Sequence, residues 1–479
     1  MRAIAGNVSG RSDSCDRPHI FAAPGVSQAF GSICDLRESQ RAVFRRPQAH
    51  TPREIDLASL TLLRALEASE DCPVCQLVAE ACEGMLWILL WESVNDVGMR
   101  ASIRRALGFC PRHTLRLCQV ANAEGLGMTG PAIIFADVLT AIQMLLQRHR
   151  ASLVPESPCP ICADEQEIAQ AALHTWLQDV NHPSLRPLIQ QRGLCQPHYR
   201  VVRTLPTHGG AQALAQTYQE AHLARRARLL AMDGSRALAA AGAAILRGEV
   251  PWPPARSPAS VNLRRSTAQH AAHMVMMLRD DLSCAICMAL AQLNQTQHQV
   301  WLKALRAGGA QCEAFIAAGG VCRGHAGALD GLTTEAVSDL YAATWAAARA
   351  TLATAPKRPR VWRGRCQSPE MPLLPCPPCA EAERCAHAIA EEQARSTAAE
   401  GMPYCLPHLR LMLQAVPRDR APTFRARQAH HVGMLAAELD EMVRKRDWQY
   451  RHEPRGSEQR AGARGAAFFA GPLLMLDPS

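Results

Sequence analysis

The sequence predicts an all-α fold of tandem helical repeats, each organised around one set of cysteine and histidine side chains. Three observations lead there. Ala, Leu, Arg, Glu and Gln dominate a chain that is 48% hydrophobic but only 5% aromatic, a composition that favours helices over sheets. Apolar residues recur every three or four positions wherever a sustained period exists. Two short motifs, Cys-x-x-Cys and Cys-x-x-His, alternate without exception along the chain.

The motifs are Cys72-Pro-Val-Cys75 and Cys110-Pro-Arg-His113, Cys159-Pro-Ile-Cys162 and Cys195-Gln-Pro-His198, Cys284-Ala-Ile-Cys287 and Cys322-Arg-Gly-His325, then Cys376-Pro-Pro-Cys379 and Cys405-Leu-Pro-His408. With 19 Cys in 479 residues, a shuffled chain holds about one of each motif, so four of each in strict order is not composition. The gaps from the second Cys to the third are 35, 33, 35 and 26 residues, which one supersecondary unit fits, shortened in the last repeat. Repeat starts lie 87, 125 and 92 residues apart, and the long middle interval contains the helix-incompatible run Pro251-Trp-Pro-Pro-Ala-Arg-Ser-Pro258. The expected organisation is a dispensable extension over 1–55, a helical half over 56–250, a Pro-rich linker over 251–264 and a second half over 265–479.

Within the first repeat, Val74, Val78, Ala81, Met85 and Leu89 mark one helix face, and Ile134, Val138, Ile142 and Leu145 another; Ile286, Leu290 and Leu293 repeat the stripe in the third unit. Pro at the second position of three Cys-x-x-Cys motifs suits a helix start, because its missing N–H would be unpaired there anyway. Thiolates so placed sit at the positive end of a helix dipole, which lowers their pKa and favours ligation. Gly108-Phe109, Gly193-Leu194 and Gly320-Val321 supply a left-handed stop and an apolar plug before each Cys-x-x-His, and Gly401-Met-Pro-Tyr404 replaces them in the fourth repeat.

Three thiolates and one imidazole form a Cys₃His set, the composition of closed tetrahedral zinc sites. The sequence therefore assigns sixteen metal ligands and about four Zn²⁺ per chain, with intervening helices bringing the pairs together, within or between repeats. A closed site leaves no position for water or substrate, so the zinc is structural and no residue is assigned as catalytic. Covalent haem requires His directly after the second Cys, where Gln76, Ala163, Met288 and Ala380 stand. Thiol redox chemistry ranks second, ahead of no metal at all and of iron–sulfur ligation. Of the remaining cysteines, Cys15, Cys34, Cys82, Cys118, Cys312, Cys366 and Cys385, those on helices read as small buried hydrophobes ahead of a role as extra ligands, and Cys82 and Cys118 on apolar stretches fit this best. No nucleotide-binding glycine loop, nucleophile elbow or His-Glu-x-x-His is present, so nothing points to an enzyme class.

The net charge of +9 is modest, and twelve thiolates with four Zn²⁺ lower it to about +5. The basic run Lys357–Arg365 reads as a solvated linker. No secretory leader is visible, and the most apolar stretches, Met85–Trp91 and Pro131–Leu146, read as core helices too short to span a bilayer. The expected location is the cytoplasm.

Cys72-Pro-Val-Cys75-Gln-Leu, Trp91-Glu-Ser-Val-Asn-Asp96 and Gly108-Phe-Cys-Pro-Arg-His113 resemble a bacterial family of unknown function. So do Trp448–Glu453, Gly456-Ser-Glu458 and Arg464–Gly471, which are similar to that family's C-terminal Tyr-Arg, Glu and Arg-Ala elements. The likeness covers roughly 56–479, lacks the Trp expected after Glu458, and implies no activity. The expected function is a cytoplasmic zinc-stabilised scaffold that contacts an unidentified protein partner. A thiol-based redox sensor or oxidoreductase is the first alternative, and a nucleic-acid-binding regulator acting through Arg444-Lys-Arg446 the second.

Overall fold

The computed structural model describes residues 55–68, 70–148, 153–206, 210–230, 235–249, 284–353, 374–450 and 452–471. The predicted extension over 1–55, the Pro-rich linker and the basic run Lys357–Arg365 lie almost entirely outside them, as do Cys15, Cys34 and Cys366. The described residues are all-helical, with no strand among them. In the first half the helices are α1 (Leu57–Ala68), α2 (Pro73–Ile88, prolonged by one π-helical turn to Ser93), α3 (Val97–Arg105), α4 (Pro111–Ala123), α5 (Thr129–Gln147), α6 (Pro160–Gln178), α7 (Arg186–Arg192), α8 (Gln196–Val202), α9 (Ala211–Leu230) and α10 (Ser235–Leu246). The second half contributes α11 (Ala285–Ala307), α12 (Ala310–Ala318), α13 (Thr334–Ala353), α14 (Pro377–Arg395), α15 (Leu406–Ala415), α16 (Ala421–Arg444) and α17 (Ala461–Ala470). Between α12 and α13 a 3₁₀ segment, Arg323–Leu329, stands where the other repeats have an α-helix; Gly324 and Gly327 within it disfavour the wider turn.

All eight motifs start a helix in the same way. Cys72, Cys110, Cys159, Cys195, Cys284, Cys322, Cys376 and Cys405 are each an N-cap, with φ between −53° and −72° and ψ between 120° and 164°. Proline fills the first or second helical position in six of them. The predicted glycine stops hold as well: Gly108, Gly193 and Gly320 have positive φ, and the plugs Phe109, Leu194 and Val321, with Tyr404 in the fourth repeat, are buried.

The helices enclose two apolar cores, and each draws on both halves. The larger runs from α2, α4 and α5 to α14, α15, α16 and α17, and includes Phe135, Leu139, Ile142, Phe424, Leu439 and Phe469. The other joins α1, α6, α8, α9 and α10 to α12 and α13, with Trp176, Tyr199, Phe315 and Tyr341 fully enclosed. Along α2 the buried line is Ala79, Cys82 and Leu86 rather than the predicted Val78, Ala81 and Met85, because α4 packs on one flank of this helix and α6 on the other. Leu293, predicted as core, is exposed. Two stretches, Pro73–Ser93 and Thr129–Gln147, are long and apolar enough by length and composition to cross a bilayer, which the shorter windows in the sequence understate; both contribute to the larger core.

Candidate metal centres

Helix lengths decide which motifs meet. From Cys72, α2 and its π-helical turn run outward for 21 residues, roughly 30 Å, whereas α3 returns for only 9, roughly 14 Å. Cys110 and His113 are therefore set down part-way along α2 and cannot rejoin Cys72. They meet Cys159 and Cys162 at the start of α6, which lies along α2 and delivers Cys195 and His198 back to Cys72 and Cys75. The same nesting holds in the second half, where α11 is long and α12 short.

All sixteen predicted residues consequently gather into four Cys₃His clusters, each able to hold a metal ion: Cys72, Cys75, Cys195 and His198; Cys110, His113, Cys159 and Cys162; Cys284, Cys287, Cys405 and His408; and Cys322, His325, Cys376 and Cys379. Each half has one outer cluster, built from its first and last motifs, and one inner cluster, built from its middle two. Every cluster closes between repeats and none within one.

The cluster dimensions are those of a tetrahedral ligand set. In all four, the three sulfurs lie 3.2–3.5 Å from the histidine Nδ1. Sulfur–sulfur separations are 3.5 Å (Cys75–Cys195), 3.7 Å (Cys110–Cys162) and 3.8 Å (Cys287–Cys405 and Cys322–Cys379). Zinc–sulfur bonds of about 2.3 Å and zinc–nitrogen bonds of about 2.0 Å imply tetrahedral edges of about 3.8 Å and 3.5 Å. A disulfide would bring two sulfurs to about 2.05 Å, and no such pair occurs among the described residues.

Electrostatics within each cluster favours one thiolate; in three clusters it opposes both of the others, and in the Cys110 cluster it opposes Cys162. Hydrogen bonds from Cys159 and Cys322 pull Cys110 and Cys376 well below the usual thiol range. Burial acts to raise Cys72 and Cys284, but hydrogen bonds from Cys195 and Cys287 outweigh it and lower both. Their neighbours go the other way: Cys75 and Cys162 are pushed far up by hydrogen bonds to Cys195 and Cys110, and Cys405 by burial. Three thiolates can coexist in so small a volume only if a cation sits among them.

The outer clusters are sealed by the chain itself. Gly248 and Gly471 follow α10 and α17, both at positive φ, with backbone laid against the sulfurs. A Cβ would stand 3.1 Å from Cys195 Sγ at the first position and 2.8 Å from Cys405 Sγ at the second. The inner cluster of the first half is supported differently. His113 turns Nε2 toward Glu165 Oε1 at 3.0 Å, and Glu165 is in turn held by Arg112 and by Arg116, the latter at 2.8 Å. The pair is a charge contact outside aligned hydrogen-bond geometry, and a carboxylate so close to the distal nitrogen favours a proton there and thus the tautomer that presents Nδ1. Burial tends to lower the His113 pKa, but hydrogen bonds to Cys110 and Cys159 win and raise it to about 12. Neither the sealing glycines nor Glu165 was singled out from the sequence; Glu165 lies one further i+3 step beyond Cys162, a spacing that could have flagged it.

Of the cysteines outside the motifs, Cys82 and Cys118 are fully buried as expected, and burial raises the Cys118 thiol to about 12. Cys82 is also polar in use, accepting from Arg116 at 3.6 Å beside His113. Cys312 and Cys385 are half-buried. In the proposed nucleic-acid segment, Arg444 pairs with Glu441 and Glu453, and Lys445 with Glu441 and Glu458.

Comparison with known proteins gives similarity without an activity. The profile of a family described as "Family of unknown function (DUF6062)" matches residues 54–143, which carry the first Cys-x-x-Cys and Cys-x-x-His. An uncharacterized 23.9 kDa protein in the xynA 3' region of Caldicellulosiruptor sp. (strain Rt8B.4) is 29% identical over 143 residues, 27% of this chain and 64% of the relative. The match thus spans less than two thirds of that relative's length. No solved structure matches.

Proposed function

We propose that the protein is a cytoplasmic zinc-stabilised helical scaffold that binds about four Zn²⁺ and presents its surface to another protein. The observation that carries this reading is the set of cluster edges, which fit tetrahedral Cys₃His ligation four times over. The ligands would be the sixteen motif residues, each histidine through Nδ1. With all four positions filled by protein atoms, the ion supplies cross-linking and charge neutralisation, and its binding energy becomes folding energy. Ion pairing of Arg444 and Lys445 leaves less free positive charge for phosphate contacts, which favours a protein partner over nucleic acid.

The test is the metal content of the purified native chain, with free thiols counted before and after mild peroxide. About four zinc ions, and helices that unfold on chelation, support the scaffold. Cys110→Ala is expected to lose about one zinc, whereas Cys118→Ala loses none and costs a packing term of about 1 kcal/mol. Metal-free protein with reversible disulfides among the motif cysteines would instead establish thiol redox chemistry.

A further inference from the structure

The four clusters divide cleanly between the halves, whereas the cores do not. Every ligand set is complete within residues 72–198 or 284–408, yet each apolar core needs helices from both sides of the 250–283 interval. The contacts that cross follow a pseudo-twofold plan. Helix α5, after the first Cys-x-x-His, packs along α16, after the fourth; α9, after the second, packs on α13, after the third. The last helix of each half lies on the other half: α10 covers Arg323–Leu329 and α13, and α17 covers α4 and α5. These crossings are close. A Cβ on Gly242 of α10 would fall 2.2 Å from the Tyr341 ring, and one on Gly462 of α17 would fall 2.8 Å from Met128 Cβ. Polar contacts across the boundary use mainly backbone: Arg247 donates to the carbonyls of Ala318 and Leu374, Arg203 to that of Thr351, and Glu249 accepts from Arg323 N–H. The relative from Caldicellulosiruptor has a mass of 23.9 kDa, less than half the 52.2 kDa of this chain.

We propose that the face which residues 55–249 turn to residues 284–471 is an association surface for another half of the same kind, one bearing two nested Cys-x-x-Cys/Cys-x-x-His sets, so that the chain is a tethered heterodimer of halves. The occupant is the second half of this chain, held at high local concentration by the intervening residues. Two apolar cores completed only on docking, with small residues at the crossings, give an interface of the obligate kind, and the tether is not what holds it. The proposal does not depend on whether the clusters carry zinc.

The experiment keeps the full chain. A protease recognition sequence is inserted after Ala259, the purified protein is cut, and the two fragments are followed by size-exclusion chromatography and native mass spectrometry. The expected result is a single species containing both fragments and the full metal complement of the uncut protein, stable on dilution to nanomolar concentration. Separation of the fragments, into folded monomers or into aggregates, overturns the proposal. Gly242→Leu in the cut protein places a side chain against Tyr341 and is expected to speed fragment dissociation at least tenfold with metal content unchanged. If this variant stays as tightly paired as the parent, the association surface is not the one described.

Discussion

The outer and inner clusters hold the same four ligand types at the same distances, yet they are built into the molecule in opposite ways. Seven of the eight outer ligands are buried, and each outer cluster is closed over by a glycine backbone at the end of its half. The inner clusters lie nearer solvent, with Cys110, Cys162, Cys379 and His325 half-buried, and the first of them relies on charged side chains, Glu165 between Arg112 and Arg116. The difference teaches that ligand composition sets which metal fits, while the surroundings set how much of the fold depends on it. An outer cluster joins the start and end of its half, closing a loop of more than a hundred residues; an inner one closes about fifty.

The largest effect should separate the two classes. His198→Ala, in an outer cluster, is expected to release about one zinc and to destabilise the protein by roughly 5 kcal/mol or more, whereas His113→Ala releases about one zinc at a visibly smaller cost. Urea denaturation with metal analysis reads both quantities, and equal losses would erase the distinction between outer and inner sites.

A second measurement sharpens a difference between the two outer clusters. In the first half, His222 of α9 is buried against Gly193, and burial, helped by Arg226 and Arg225, lowers its pKa to about 4. In the second half, His431 of α16 instead reaches the Gly401 carbonyl at 3.0 Å and lines a cavity of about 250 Å³ beside Cys284 and Cys405. An unfolded histidine titrates near 6.5, so the folded state refuses a proton that the unfolded state accepts. The stability held by neutral His222 is intact above about pH 6.5 and is lost as pH falls toward 4, by about 2 kcal/mol between pH 7 and pH 5. Denaturation midpoints of His222→Leu should lack this component, while His431→Leu should retain it; identical pH profiles for all three proteins would show that the pocket around His222 admits the proton.

The smallest effect concerns ring orientation. Glu165→Gln keeps the shape beside His113 but removes the charge, and is expected to weaken metal binding at that inner cluster by 10- to 100-fold while the other three keep their ions. Competition with a chromophoric chelator resolves one weakened site from three unchanged ones. Loss spread evenly over all four would place the role of Glu165 in global stability instead of in this cluster.

Most of what a metal would touch was legible in the sequence. Cys72, Cys110, Cys159, Cys195, Cys376 and Cys405 cap helices because Cys-Pro and Cys-x-Pro are local helix-start signals, whereas Cys284 and Cys322 do so without a proline, and Phe109, Leu194 and Val321 plug the preceding turn because glycine forces the reversal next to them. The stripe on α5 named Ile134, Val138 and Ile142 correctly as buried, while its fourth member, Leu145, is half-buried beside the fully buried Leu146. The stripe on α2 named a line one residue off, because that helix is covered from two directions and its buried arc is too wide for a single period to mark its centre.

The sequence by itself determined the helices, the sixteen chemically competent side chains and their positions at helix starts, because all of these follow from interactions within a few residues. Only the tertiary structure decided which pair meets which, and which half supplies the far wall of each core. A Cys-x-x-Cys is chemically satisfied by any Cys-x-x-His, and an apolar stripe by any other, so local chemistry leaves the partners open. The choice falls to length: an outward leg of about 30 Å cannot be undone by a return of about 14 Å, and the stranded motif takes the next helix start within reach.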